Sequence, residues 1–335
     1  MEFTAGGRLE VRITHADVGK RVSVRYVTDS GAPGAKFTDA VGVLTSWDSG
    51  VLLITRRTGE GVRIAESALV AGKVVPAAPA RRRGPAASFE ELARVTARAW
   101  EPVESEPLGA WTLRASAGFT RRANSVLPLG DPGLPLDEAL TRVRSWYAAR
   151  DLPAYVQTAT GAEGTQELLC AELERRGWRR EVSAEVRTGG LAAVGDLDAD
   201  VSGVRLSGSV DERWLRRYQR SAEPGPHVLK VLGSGPRVWF ASIAGTGDIP
   251  AAIGRCVVDG RWAGFMAVEV DPAHRRRGLA KAVMTALARR ALDEGASAAW
   301  LQVETDNDGA RALYEAMGFA VHHHYHHYRH GSAEA

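Results

Sequence analysis

The stretch from residue 262 to residue 292 constrains the fold most, because it passes from an apolar strand through a basic turn directly into a helix. Residues 262–270 are mostly apolar, which is typical of a buried strand, and Pro272 stops that strand. From Ala280 to Leu292, apolar residues recur at helical spacing. Gly278 stands just before this helix, where free backbone N–H groups and the positive end of the helix dipole converge. The stretch therefore predicts an anion-binding turn between a strand and a helix.

This turn, and the segment after a second predicted strand at 298–304, each contain a motif. The turn reads Arg275-x-x-Gly278-x-Ala280, and the strand before it ends in a V-x-P sequence. The later segment reads Asn307-x-x-Ala310-x-x-Leu313-Tyr314-x-x-x-Gly318-Phe319. The first resembles the R/Q-x-x-G-x-G/A pyrophosphate loop of the GNAT superfamily of acyl-CoA N-acyltransferases, and the second resembles that family's N-x-x-A-x-x-x-Y-x-x-x-G-F signature. Because both occur in the expected order on the expected elements, the resemblance is more specific than either short motif.

The resemblance implies an α/β (α+β) GNAT fold with helices on both faces of a mixed central sheet. It also implies direct transfer of an acetyl group from acetyl-CoA, the default donor, to a primary amine within a ternary complex. The basic turn would hold the diphosphate, and the splayed end of strand 262–270 would offer backbone groups to the pantetheine amides and the oxyanion. The cofactor-binding residues implied are Val268, Glu269, Val270, Arg275, Arg276, Arg277, Gly278, Leu279, Ala280, Lys281, Asn307, Ala310 and Tyr314.

For catalysis, the resemblance assigns Tyr314 as the acid that protonates the departing CoA thiolate, and Asn307 as the cap of its helix. The general base is uncertain by sequence, since many members place a glutamate where this chain has Gln302, which cannot take a proton. Glu269 and Glu304 are the available carboxylates on the two strands. Strand alternation would turn Glu269 away from its cofactor-facing neighbours unless a bulge intervenes. An acceptor that is already neutral would need no base.

Two classes of function remain open at this point. The first is an N-acetyltransferase, whose acceptor is an amine-bearing small molecule or a protein lysine or N-terminus. The second is a non-catalytic module that senses acyl-CoA while an N-terminal barrel binds protein or nucleic acid. The presence of Tyr314 and Asn307 favours the enzyme, whereas Gln302 in place of the glutamate favours the sensor.

The C-terminal segment 321–330 contains histidines and tyrosines in alternation. Alternate histidines on a strand share a face, which makes metal binding conceivable. A zinc site normally takes ligands from more than one element, however, so we predict no metal here. We expect instead an edge-strand hairpin that lines the acceptor pocket.

Composition limits the setting in which the chain acts. The 335 residues have a formal net charge of only +3, so the pI of about 9.0 does not by itself indicate nucleic-acid binding. No stretch approaches the length of a membrane span, and the start of the chain is not a basic, apolar leader. Cys170 and Cys256 are far apart, which is typical of a reducing compartment, and we expect both to be buried apolar fillers. We therefore expect a cytoplasmic protein; its oligomeric state is not predicted.

The N-terminal part is predicted to form a small accessory β-barrel at 6–75, followed by a Pro/Ala/Arg-rich linker at 76–87. Short β-rich runs at 20–28, 40–46, 51–56 and 61–64 are separated by glycine-containing turns. Four or five such strands fit a barrel of the Src-homology or Sm-like type.

Residues 88–190 resemble a degenerate copy of the catalytic unit, which we place at 203–330, and this predicts a tandem arrangement. The turn at 130–135 stands where the copy should have its phosphate loop, but it lacks the basic motif. The polar segment 118–125 is expected to face the acceptor cleft, although structural hydrogen bonding by Asn124 and Ser125 is an equally good interpretation.

Overall fold

The computed structural model describes residues 10–28, 36–76, 84–218, 224–245 and 247–331. The chain divides into two compact units, one made of Met1–Ala80 with Thr158–Trp178 and the other of Arg81–Gln157 with Arg179–Ala335. Most of the predicted linker, residues 77–83, lies outside the described residues. Nothing in the composition of the chain predicts that Thr158–Trp178 belongs to the first unit. The domain limits given above remain a prediction.

The first unit contains an antiparallel sheet whose five strands are β1 (Arg21–Thr28), β2 (Lys36–Asp48), β3 (Val51–Arg56), β4 (Gly61–Ala65) and β5 (Leu69–Val74), in the order β4-β3-β2-β1-β5. Alternate apolar residues on these strands form the core, including Val22, Val24, Leu44, Leu52 and Ile54. The strand β2 is longer than its apolar run predicts, because it pairs with β1 along its first half and with β3 along its second. The predicted all-β N-terminal domain is confirmed.

The rest of the described chain contains eight α-helices and eleven further strands. The helices are α1 (Phe89–Arg98), α2 (Leu136–Ala148), α3 (Glu167–Arg175), α4 (Leu191–Gly195), α5 (Glu212–Arg217), α6 (Pro226–Leu232), α7 (Leu279–Asp293) and α8 (Asp308–Ala316). The strands are β6 (Glu104–Leu108), β7 (Trp111–Ala115), β8 (Leu127–Pro128), β9 (Tyr155–Thr160), β10 (Trp178–Gly190), β11 (Val204–Ser207), β12 (Arg237–Ile243), β13 (Ala252–Asp259), β14 (Trp262–Val270), β15 (Ala298–Glu304) and β16 (Ala320–His330).

A mixed eight-stranded sheet with the order β11-β12-β13-β14-β15-β10-β16-β9 organises the second unit, and β6, β7 and β8 form a separate small sheet. The large sheet has a hydrophobic core on each face. One core gathers residues of α4 and α7 against the sheet, and the other gathers residues of α1 and α6. Consecutive residues Ala252 and Ile253 of β13 belong to different cores, as strand alternation requires. The predicted α/β fold class, with helices on both faces of a mixed sheet, is confirmed.

The expectation for the histidine-rich C-terminus was wrong in its geometry. Residues 320–330 form one strand, β16, and it lies between β10 and β9 rather than forming a hairpin at the edge of the sheet. As a result His323, His324, His326 and His327 are buried. An edge position was expected, but the position of a strand in a sheet is set by its long-range partners. Here β9 pairs with β16 and takes the edge position.

Candidate active site

The site begins where two neighbouring parallel strands separate. β14 and β15 pair from Trp262 opposite Ala298 as far as Phe265 opposite Leu301, and both strands continue beyond that point without further pairing to each other. On its other side, β14 has a register shift against β13, and Ala267 has a φ of 52°, in the left-handed region. This combination is a β-bulge, which bends the strand and redirects the side chains after it. Such a bulge is the feature that Glu269 requires in order to face the same side as its cofactor-facing neighbours.

The predicted basic turn lies between β14 and α7. Gly278 caps the helix with a φ of 78°, and Arg276 also has a positive φ, of 63°. The first intrahelical bond runs from the Ala282 N–H to the Gly278 carbonyl, so the N–H groups of the first helical residues have no acceptor within the helix. A Cβ on Gly278 would meet no protein atom within 4 Å, so the residue faces open space. The turn therefore presents backbone donors to solvent at the positive end of a helix of four turns.

The start of the turn is held by a carboxylate. Asp271 accepts a hydrogen bond from the Ala273 N–H at 2.8 Å and forms an ion pair with Arg217 of α5. The Ala273 N–H bond is the main cause that lowers the pKa of Asp271 below its usual range, and Arg217 adds to it. The Arg217 Nε also donates to the Pro250 carbonyl at 2.7 Å. In contrast, the side chains of Arg275, Arg276 and Lys281 form no ion pair within the described chain.

A groove of about 770 Å³ runs from this turn to the splayed strands. Its lining includes most of the predicted cofactor residues and three others, Arg217, Gly309 and Leu313. The lining residues are Arg217, Val268, Glu269, Val270, Arg275, Arg276, Gly278, Leu279, Ala280, Lys281, Asn307, Gly309, Ala310 and Leu313. Of the predicted residues, Arg277 is exposed and does not line the groove, and Tyr314 lines an adjoining pocket instead.

The inner pocket, of about 110 Å³, lies between the diverging ends of β14 and β15. It brings Tyr314 of α8 together with Glu269 of β14 and both Gln302 and Glu304 of β15. Val268, Glu269, Asn307 and Ala310 line the groove as well as this pocket, so the two spaces are continuous. Strand alternation alone would turn Glu269 away from the site, but the strand bulges at Ala267, and Glu269 lines both spaces.

Helix α8 is positioned by its cap and by a buried ion network. The Asn307 side chain accepts the Ala310 N–H at 3.1 Å, as expected of a helix cap. Glu185 of β10 accepts hydrogen bonds from Arg187 at 2.6 Å and from Arg311 of α8 at 3.2 Å. Burial alone would raise the pKa of Glu185, but these guanidinium groups outweigh it and lower the pKa below its usual range. The Tyr314 ring packs edge-on against Phe319, with ring centroids 6.2 Å apart.

Sequence analysis missed three residues that other parts of the chain bring to the inner pocket. They are Trp100 after α1, Arg122 in the 118–125 segment and Tyr218 after α5. No local motif marks them, although the polar character of 118–125 was a signal. In that segment Asn124 is buried and bonds the surrounding backbone, which confirms the structural interpretation. The residues from Phe119 to Arg122 line a side pocket, and that this pocket faces the acceptor stays a prediction.

The two cysteines are buried thiols that are not joined in a disulfide, as expected of structural residues. Burial raises the pKa of the Cys256 thiol to about 12, which removes it as a nucleophile at neutral pH. Within the described part of the chain, no group of three or more His, Cys, Asp or Glu side chains is arranged to hold a metal ion. The same part contains no helix that is long and apolar enough to cross a membrane.

Comparison with solved structures gives the fold. A GCN5-related N-acetyltransferase from Kribbella flavida superimposes with a TM-score of 0.53 at 17% identity, covering 72% of this chain and 96% of that one. Because the sequence identity is low, this similarity is evidence for the fold alone. Taken with the splayed strands and the glycine turn, it shows that the chain has the fold of the GCN5-related N-acetyltransferases.

Comparison of sequences gives the family. The model described as "Probable histone acetyltransferase Rv0428c C-terminal" matches residues 86–328, and the model of the Rv0428c N-terminal Sm-like domain matches residues 16–73. The probable histone acetyltransferase Rv0428c of Mycobacterium tuberculosis is 30% identical over 92% of this chain and 93% of the relative. An uncharacterized N-acetyltransferase, YobR of Bacillus subtilis, is 25% identical over 71% of this chain and 97% of its own length. The chain belongs to the Rv0428c family of acetyltransferases, with an Sm-like N-terminal domain; it is an enzyme rather than a non-catalytic sensor.

Proposed function

We propose that this enzyme transfers the acetyl group of acetyl-CoA directly to a primary amine within a ternary complex. The observation that supports the proposal best is the continuity of the groove with the inner pocket. The groove begins at the free N–H groups of α7, which suit a diphosphate, and it leads to the splayed strands, where Tyr314 and two carboxylates lie. An extended pantetheine fits between these ends, bonded to the backbone of β14 around Val268 and Val270.

The chemistry that this arrangement supports has three parts. A neutral amine attacks the thioester carbonyl, and a backbone N–H at the bulge of β14 stabilises the oxyanion. The carbon–sulfur bond then breaks, and Tyr314 donates its proton to the departing thiolate. Glu269 or Glu304 takes the proton that the ammonium loses, directly or through water. We place Glu269 slightly ahead, because it lines both the groove and the inner pocket.

The arginines of the turn supply screened charge around the diphosphate, and Asn307 and Ala310 contact the same ligand. The acceptor is a small amine or a protein lysine or N-terminus. The name of the Mycobacterium tuberculosis relative favours a protein, whereas the lining of the side pocket favours a small amine. The Sm-like domain is accessory. The two cysteines, which are reduced and buried, support a location in the cytoplasm.

Gly278→Glu tests the proposal at the diphosphate. The substitution places a side chain and a negative charge where the ligand's phosphates would lie, so calorimetry should detect no binding of acetyl-CoA. Gly133→Glu is the matched control, since Gly133 also has a positive φ, of 73° against 78° for Gly278, but lies in a turn without the basic motif. We expect the control to bind as tightly as the unmodified enzyme. Unaltered affinity in Gly278→Glu would show that the diphosphate binds elsewhere.

Turnover is tested by a thiol-release assay with acetyl-CoA and a panel of amines. The unmodified enzyme should release CoA thiol in the presence of at least one amine, with an acetylated product that mass spectrometry detects. Tight binding of acetyl-CoA without any acetylated amine would contradict the transfer reaction while leaving the binding site intact.

A further inference from the structure

A side pocket of about 160 Å³ adjoins the inner pocket and shares Arg122, Tyr218 and Glu304 with it. It lies on the side of the inner pocket away from the groove, since none of the residues that line it lines the groove. An acceptor amine that reaches the thioester from this direction would have the rest of its structure in the side pocket. The side chains that line the side pocket would therefore determine which acceptors the enzyme binds.

Arg122 is a cation for which the described ranges provide no anionic partner. Its guanidinium lies over two aromatic rings, 5.6 Å from the centroid of Trp100 and 5.8 Å from that of Tyr325. Its Nε is buried without a hydrogen-bond partner, and no carboxylate in the described ranges pairs with it. The neighbouring Arg121 differs, because it pairs with Glu181 at 3.0 Å. Arg122 thus lies over two aromatic rings, and its Nε has no hydrogen-bond acceptor within the part of the chain that the structure describes.

His327 of β16 is a second group with unused capacity. Its side chain is almost completely buried, at 2% exposure, and neither ring nitrogen has a hydrogen-bond partner. Burial lowers its pKa well below the usual value, and the arginines at 122, 114 and 121 lower it further. The ring is therefore neutral, with one N–H donor. Buried polar atoms are normally paired, and no protein group among the described residues hydrogen-bonds to this ring, so its N–H is available to a ligand in the cavity.

The loop that carries Arg122 is strained and tightly tied. Ala117 and Thr120 have φ values of 50° and 52°, which are unfavourable for residues other than glycine, above all for a β-branched one. Asn124 holds this loop: its Oδ1 accepts the N–H groups of Ser116 and Gly118 at 2.8 and 3.0 Å, and its amide donates to the Phe119 carbonyl at 2.5 Å. The tertiary structure thus maintains an unfavourable backbone that directs Arg122 to the pocket.

We propose that the side pocket binds a carboxylate of the acceptor, so that the preferred acceptor is a small amine that also carries a carboxylate, such as an amino acid. The Arg122 fork and the His327 N–H match the lone pairs of a carboxylate, which is planar and accepts several hydrogen bonds. Glu304, at the boundary with the inner pocket, receives the ammonium of the same molecule. A polycationic peptide would instead place positive charge close to the Arg122 guanidinium, and the two would repel each other. This inference rests on the acetyl transfer proposed above.

The test compares matched acceptors in the thiol-release assay: the L-amino acids against their primary amides, which keep the amine and lose the carboxylate's charge. We expect kcat/KM to be at least about tenfold higher for the preferred acid than for its amide. Arg122→Gln should lower kcat/KM for the acid by about 10- to 150-fold, the effect of losing a hydrogen bond to a charged group, through a higher KM. The loss should be much smaller for the amide, which has no charged group for Arg122 to bind, and Arg122→Lys should recover part of the loss for the acid.

Arg179→Gln, at an exposed position of β10, is the control for loss of a positive charge. The carboxylate site would be contradicted if acids and amides reacted at equal rates, or if Arg122→Gln left kcat/KM for the acid unaffected. Either result would leave the proposed acetyl transfer intact. If no amine is acetylated, the transfer reaction itself fails. Binding of the same amino acids to the CoA-bound protein is then measured by calorimetry. Absence of binding would contradict the proposal of a carboxylate site in the side pocket.

Discussion

At the scale of single residues, we predict that Tyr314 protonates the departing thiolate. Tyr314→Phe removes one hydroxyl and keeps the ring that packs on Phe319, so affinity for acetyl-CoA should persist. Turnover should fall by about ten- to ten-thousand-fold, the usual range for loss of a general acid, and the pH–rate profile should lose its basic limb. Steady-state kinetics across pH, with calorimetry for affinity, measure both effects. Full turnover in the Phe variant would mean that water protonates the thiolate.

The two carboxylates of the inner pocket can be separated by isosteric substitution. If Glu269 is the base, Glu269→Gln should lower kcat at neutral pH and recover partly at high pH, where the acceptor deprotonates in solution. Glu304→Gln would then leave kcat unchanged, although it should raise the KM of an acceptor whose ammonium it binds. A pH-dependent loss of kcat in Glu304→Gln would transfer the role to that residue. Full activity of both variants across pH would indicate that water or a neutral amine suffices.

At the scale of elements, the Glu185 network ties α8 to the sheet. Glu185→Gln leaves Arg187 buried without a carboxylate, which should destabilise the enzyme by about 3–5 kcal/mol. Because folding lowers the pKa of Glu185 below its ordinary value of 4.5, its stabilisation is complete above that pH and is lost as pH falls through the folded pKa. Urea unfolding at several pH values should therefore show less acid sensitivity in the variant. Glu90→Gln, in an exposed pair with Arg94, should cost less than about 1 kcal/mol.

At the scale of the whole molecule, the first unit uses a segment from the middle of the chain. Within this unit, the Thr160 hydroxyl donates to the Arg57 carbonyl at 2.8 Å, and Gly161 approaches the same residue too closely to allow a Cβ. Glu167 is buried there at 6% exposure, and burial raises its pKa. Removal of residues 1–80 would expose these surfaces, since their partners belong to the deleted part.

We therefore expect a chain that begins at Gly84 to unfold at a lower temperature than the complete enzyme and to associate through the exposed segment. Differential scanning calorimetry and light scattering measure the two effects. Residues 10–80 expressed alone should likewise lack part of their native packing. Identical thermal unfolding of the shortened and complete chains would mean that the contacts of Thr158–Trp178 contribute no stability.

The sequence by itself determined the elements whose signals are local. The strand at 262–270, the glycine-capped helix after it and the Asn307 cap follow from periodicity and short-range capping, and the structure contains all three. Only the tertiary structure decided what depends on distant partners. The bulge at Ala267 turns Glu269 into the site, and β9 and β10 enclose the histidine strand. Arg122 meets Trp100 only in the folded chain, because long-range packing joins segments that no local pattern relates.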